Sequence, residues 1–108
     1  MKKLIAAAAA TALAAGALAI PAFAATKTVQ VKDNKFVADS ITVSKGTTVK
    51  WVWKGKAPHN VVVTKGPAKF KSTTQVKGSF SKKLTKKGTY SLLCTIHAPG
   101  MKMTVKVR

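Results

Sequence analysis

The only cysteine of the chain, Cys94, opens the stretch Cys94-Thr95-Ile96-His97-Ala98-Pro99-Gly100-Met101, which places a thiol, an imidazole and a thioether within one loop. The only other histidine, His59, follows Ala57-Pro58 and precedes Asn60 and a short apolar run. These residue types bind metals. Thiolate and thioether are soft and suit Cu(I), while imidazole suits both oxidation states of copper. Two histidines and one cysteine in a plane, with a weak axial methionine, make the donor set of a blue-copper electron-transfer site. His59, Cys94, His97 and Met101 could thus hold one ion that cycles between Cu(I) and Cu(II).

The same inventory excludes other chemistry. A c-type haem needs Cys-x-x-Cys-His, and a binuclear oxidase-type copper site needs two cysteines. A structural zinc site prefers four cysteines or histidines, and three are present. A lone cysteine forms no internal disulfide. A Cys-His hydrolase needs a cleft and an orienting third group, for which a chain this short has little room. No glycine-rich phosphate loop occurs, and the reading is of a protein that is not an enzyme.

The elements that must position these residues are strands. Apolar and polar residues alternate with a period of two, the mark of half-buried strands. Val29 and Val31 share a face, as do Ile41 and Val43, and then Val49, Trp51 and Trp53. Val61 and Val63 are in phase with His59. Tyr90, Leu92 and Cys94 share a face, and so do Met101, Met103, Val105 and Val107. Phe80 and Leu84 form the remaining pair, but Lys82 falls on their face, which fits a bulge or an edge position. Turn signals at Lys45-Gly46, Gly55, Gly66-Pro67, Gly78, Lys87-Gly88 and Pro99-Gly100 separate the runs. Short strands with regular turns and no helical period predict a β-sandwich. Residues 65–77 are polar, basic and poorly periodic, and read as a loop with at most one short strand. Parity points Cys94 and Met101 inward at one end of the sandwich, with His97 between them and His59 placed to close the cage. Met103 lies one layer deeper and reads as core. The two tryptophans also read as core.

Residues 1–24 read as a secretory signal peptide. Lys2 and Lys3 form a positive start, residues 4–20 an apolar stretch, and Ala22-Phe23-Ala24 an A-x-A cleavage site. The expected domain is 25–108, exported to the periplasm or secreted. Lys and Arg number 20 against 2 acids, and losing the leader lowers the formal charge from +18 to +16. Such a field attracts acidic proteins and anionic surface or wall polymers. A solvated lysine coat that keeps edge strands apart is the plainer alternative. Specific nucleic-acid binding is disfavoured by the export signal and by the lack of aromatics among the lysines.

The chain resembles the cupredoxins, in particular the plastocyanin and pseudoazurin branch, over essentially all of its expected mature length. The resemblance rests on Gly88-Thr89-Tyr90-Ser91-Leu92-Leu93-Cys94 with the loop after it, on Ala57-Pro58-His59-Asn60-Val61-Val62, and on Val43-Ser44-Lys45-Gly46-Thr47-Thr48-Val49. It implies a Greek-key β-sandwich of seven to eight strands. It implies that His59, Cys94 and His97 are the equatorial copper ligands and Met101 the axial one. It further implies that the Asn60 side chain ties the two ligand loops together through Thr95. Three residues separate His97 from Met101, where related proteins have two or four, so Ala98 reads as a one-residue insertion. Leu93 stands where plant-type plastocyanins carry an exposed tyrosine, which leaves His97, with Ala98 and Pro99 beside it, as the expected electron exit. The implied role is a monomeric carrier of single electrons between redox partner proteins, here with acidic surfaces. A copper-delivery module of the same fold, or a basic polyanion-binding protein, are the alternatives.

Overall fold

The computed structural model describes residues 25–108. The signal peptide expected over residues 1–24 lies outside the described residues. Those described form eight strands and no helix. In chain order they are β1 Thr26–Lys32, β2 Lys35–Val37, β3 Ser40–Val43, β4 Thr48–Trp53, β5 Val62–Lys65, β6 Ser79–Lys83, β7 Gly88–Leu93 and β8 Lys102–Val107. They make two four-stranded sheets, ordered β2-β1-β4-β6 and β3-β8-β7-β5. β1 runs parallel to β4 and β3 parallel to β8, while the other pairs are antiparallel. The expected sandwich is the observed architecture.

Its faces follow the period-two pattern. Val29, Val31, Phe36, Val49, Trp51 and Trp53 face inward from the first sheet, and Ile41, Val43, Val63, Tyr90, Leu92, Met103, Val105 and Val107 from the second. Trp51 is fully buried, and its Nε1 donates to Met103 Sδ at 3.3 Å. That bond crosses from one sheet to the other and gives the indole N–H the partner that burial demands. It also engages the Met103 sulfur in the core, as its parity predicts.

Two features were not expected. β2 is a three-residue strand joined to β1 by the two-residue connection Asp33-Asn34, with Lys32 opposite Lys35. Asn34 takes a left-handed conformation (φ 66°), which asparagine tolerates better than most residues. The segment read as a loop over 65–77 is pinned along its length. Ser72 N donates to Val61 O and Val63 N to Phe70 O, while His59 and Gln75 exchange a pair of backbone bonds. The Ser72 hydroxyl accepts from Val61 N. Phe70 reaches back to stack obliquely against Trp51, Phe80 and Tyr90. The segment thus closes the second sheet beyond β5 without forming a regular strand.

Lys82 also finds its reason. β6 is an edge strand, paired with β4 alone. The Lys82 ammonium lies 5.8 Å from the centre of the Phe70 ring, a cation–π contact that lets the charge stay exposed while the chain covers apolar surface.

The parity of β7 can be tested in the metal-free protein. Leu92 is 1% exposed, whereas Leu93 is half-buried on the other face. Leu92→Ala should lower stability by about 2–5 kcal/mol and Leu93→Ala by less than half as much, read from urea midpoints at constant slope. Equal losses would mean that the face assignment of this strand is wrong.

Candidate metal centre

All the donor-bearing segments belong to one end of the second sheet. β7 and β8 pair through Leu93 and Lys102, and the ladder continues one step further, with Cys94 N donating to Met101 O at 3.0 Å. Cys94 and Met101 therefore stand opposite each other as the last inward pair, 0% and 1% exposed. Between them the chain leaves the sheet and returns. His97 N donates to Cys94 O, and Met101 N donates to His97 O, both at 3.3 Å. The second of these bonds spans the three residues Ala98, Pro99 and Gly100, so the extra residue is taken up in the turn and Met101 keeps its buried place.

His59 arrives from the segment that leads into β5. Its backbone is held on two sides, because His59 O accepts from Gln75 N at 3.0 Å and from Trp53 Nε1 at 3.2 Å. The imidazole is fully buried. Its Nδ1 lies 3.1 Å from His97 Nδ1 and 3.9 Å from Cys94 Sγ, and His97 Nδ1 lies 3.5 Å from the same sulfur. Donors at first-row metal bond lengths of roughly 2.0–2.3 Å, arranged in a plane about one ion, stand roughly 3.5–3.8 Å apart. The triangle of one sulfur and two nitrogens, with sides of 3.1, 3.5 and 3.9 Å, is close to this size, and its donor types fit copper. His59, Cys94 and His97 are the one such cluster of donor side chains among the described residues.

Asn60 and Thr95 join the two loops that carry these groups. Asn60 Nδ2 donates to Thr95 Oγ1 and Thr95 N donates to Asn60 Oδ1, each at 2.8 Å. The tie expected from sequence is present, and it is reciprocal.

One group was missed. Asp33, in the β1–β2 connection, places Oδ1 3.0 Å from His59 Nε2. The same carboxylate accepts from Ala57 N at 2.9 Å and from Lys56 N at 3.0 and 3.1 Å. The hydrogen bond with His59 and then those from the Ala57 and Lys56 amides lower its pKa from 3.8 to about 2. Gly55 lies against it, and a Cβ there would collide with the carboxylate. The signals in the sequence were slight. They were a turn-forming Asp-Asn pair between two apolar positions, and one of only two acids in a basic chain.

Around the centre, His97 is half-buried, and Ala98, Pro99 and Gly100 are exposed. Ile96 beside it is 46% exposed. The rim is uncharged. Lys54 and Lys56 are exposed on the segment before His59. Lys32, the last residue of β1, adjoins Asp33 at the same end.

Residues 24–108 match the family of copper binding proteins, plastocyanin/azurin family. Among curated proteins none matches the chain. Among solved structures, a reduced mutant of amicyanin is 31% identical, with a TM-score of 0.69 over 77% of this chain and 82% of amicyanin. The Cu(I) form of another amicyanin mutant is 32% identical, with the same TM-score and coverage. The copper-containing nitrite reductase of Thermus scotoductus SA-01 is 28% identical, with a TM-score of 0.67 over 77% of this chain. The chain spans 22% of that enzyme's length.

The tie between the loops predicts a measurable loss without any metal. Asn60→Ala removes both bonds and should destabilise the metal-free protein by about 1–3 kcal/mol. Asn60→Asp keeps the acceptor for Thr95 N and should lose less. Urea unfolding checks both, and a loss for Asn60→Ala below about 0.5 kcal/mol would mean that the tie is energetically idle.

Proposed function

The chain belongs to the plastocyanin/azurin family of copper-binding proteins, and from that premise we propose that it is an exported carrier of single electrons. In this reading His59 Nδ1, Cys94 Sγ and His97 Nδ1 hold one copper ion, with the Met101 thioether as the weak fourth ligand. One observation carries the reading: two imidazole nitrogens and a cysteine sulfur converge within 3.1–3.9 Å of one another at the end of a rigid sandwich. Copper bound there supplies a one-electron couple. The protein supplies a fixed cage, so that little rearranges when the charge changes.

Each residue then has a task. Cys94 is buried and its thiolate gives the cage its soft, anionic donor. His59 and His97 would complete the donor set, and Met101, buried opposite Cys94, would supply the thioether. Asn60 and Thr95 keep the two loops at one spacing. Of His59, Cys94 and His97, His97 is the one that is not fully buried, and it sits within the uncharged rim of Ile96, Ala98, Pro99 and Gly100. Electrons enter and leave through this imidazole. Burial of His59, Cys94 and Met101 favours a carrier that retains its metal over a module that hands it on. A surface groove of about 840 Å³ runs along residues 35–40 and parts of β7 and β8 and includes none of the four proposed ligands.

The leader over residues 1–24 directs export and is removed after Ala24, leaving a monomer with a strongly basic surface. Its redox partners carry acidic faces, and the same lysine coat attracts anionic surface or wall polymers.

Two experiments test this reading. Cu(II) added to the metal-free domain should produce an intense blue thiolate band, and Cys94→Ser should abolish it. Met101→Leu should retain copper with a changed potential, and Met103→Leu should leave the potential unmoved. A blue Cys94→Ser protein, or a potential that follows Met103, would sink the ligand assignment. For partners, electron exchange with an acidic protein should slow about tenfold or more between low salt and roughly 0.5 M. Charge reversal at Lys54 and Lys56 should flatten that dependence more than reversal at Lys86 and Lys87, which precede β7 at the opposite end. A rate insensitive to salt would leave the lysines without a steering role.

A further inference from the structure

We propose that Asp33 is a positioning and charge-tuning residue for the metal centre, which fixes the tautomer of His59 and lowers the reduction potential of the bound copper. The inference rests on the copper reading above and extends it to a carboxylate from the other sheet.

The geometry assigns the proton. The Asp33 carboxylate already accepts from the Lys56 and Ala57 amides, and an ionised carboxylate has nothing to donate. Its Oδ1 lies 3.0 Å from His59 Nε2, so that nitrogen carries the hydrogen. The other ring nitrogen, Nδ1, is then the bare donor, and it is the one that faces Cys94 and His97. A neutral imidazole with its second nitrogen tied to a carboxylate is oriented before any metal arrives, and it is a more basic ligand. A more basic ligand with a negative charge behind it favours Cu(II) over Cu(I).

The contact is built, because Asp33 comes from the β1–β2 connection and lies 26 residues from His59 in sequence. Gly55 makes room for it, because any Cβ at that position would run into the carboxylate. Amides of the segment leading to His59 fix both of its oxygens. Asp33 is also one of only two acids in a chain of net charge +18. A strongly basic surface thus places one of its two carboxylates on the far nitrogen of the buried histidine.

Asp33→Asn separates charge from position, because the amide oxygen can still accept from His59 Nε2 while the negative charge is gone. On the copper-loaded protein, Asp33→Asn should keep the blue band. It should shift the relative affinity about tenfold toward Cu(I), a rise in potential of about 59 mV for a one-electron couple. Asp33→Ala should raise the potential as well and should lower Cu(II) affinity by about 10–100-fold in chelator competition. Gly55→Ala, which displaces the carboxylate, should move the potential in the same direction. An Asp33→Asn protein with wild-type potential and Cu(II) affinity would overturn the proposal, even with Gly55→Ala shifted, because position alone would then account for the effect. A wild-type protein that forms no thiolate band with Cu(II) would overturn the copper reading and this inference together.

Discussion

A fully buried imidazole must find a partner for each ring nitrogen, and at His59 that requirement draws the whole centre together. Leaving either nitrogen unpaired would cost on the order of 1–3 kcal/mol, a large part of what an 84-residue domain has to spare. One nitrogen turns to Asp33 and the other to the cluster of Cys94 and His97. The backbone of the same residue is bonded to Gln75 and capped by the Trp53 indole. Both sheets and the 65–77 segment therefore meet at this one residue. Among the described residues no buried side-chain nitrogen or oxygen is left without a partner, so the arrangement is closed.

The two sheets divide the work. The second provides all four proposed ligands, three of them from the end of a single ladder where Cys94 and Met101 face each other. Local pairing sets the spacing of those three. His59 enters the same sheet through β5, and its distance from Cys94 is set by the Asn60–Thr95 tie. The first sheet supplies support and charge, through Trp53 behind the backbone of His59 and Asp33 behind its ring. In the proposed electron carrier, a change in the first sheet would move the potential while the donor set in the second stays as it is.

The parts that could be read from the sequence were those that repeat or that stand close together. Period-two alternation placed Leu92, Cys94, Met101 and Met103 on the correct face, because each strand buries one side and any slip by one residue would expose it. The spacing of Cys94, His97 and Met101 was legible because one loop holds all three. β2 was not, since a three-residue strand with Phe36 as its one buried residue carries no period. Asp33 was not, since an Asp-Asn pair reads as a turn and nothing local shows what its carboxylate meets 26 residues away. The 65–77 segment hid for a related reason. Its backbone is satisfied by single bonds to Val61 and Val63 and by a pair to His59, and its polar residues look the same whether they face water or a neighbouring strand.

The distance between the proposed ligands also depends on the core, beyond the local pairing and the Asn60–Thr95 tie. His59 is gripped by groups of the first sheet, while Cys94, His97 and Met101 belong to the second, so sliding one sheet over the other would change the triangle of donors. What resists sliding is the interdigitated layer between them, and above all Trp51, fully buried, bonded to Met103 across the gap and flanked by Phe70 and Phe80. Met103 lies next to Leu92 in the ladder that ends at Cys94 and Met101. A rigid path therefore runs from the centre of the sandwich to the sulfur of the cage. Close packing transmits small displacements without absorbing them, so the residues that look least functional set how much the cage can yield when its charge changes. The same packing explains how so small and so basic a domain holds its shape: the lysines repel one another at the surface, and the aromatic layer beneath them holds the sheets in register.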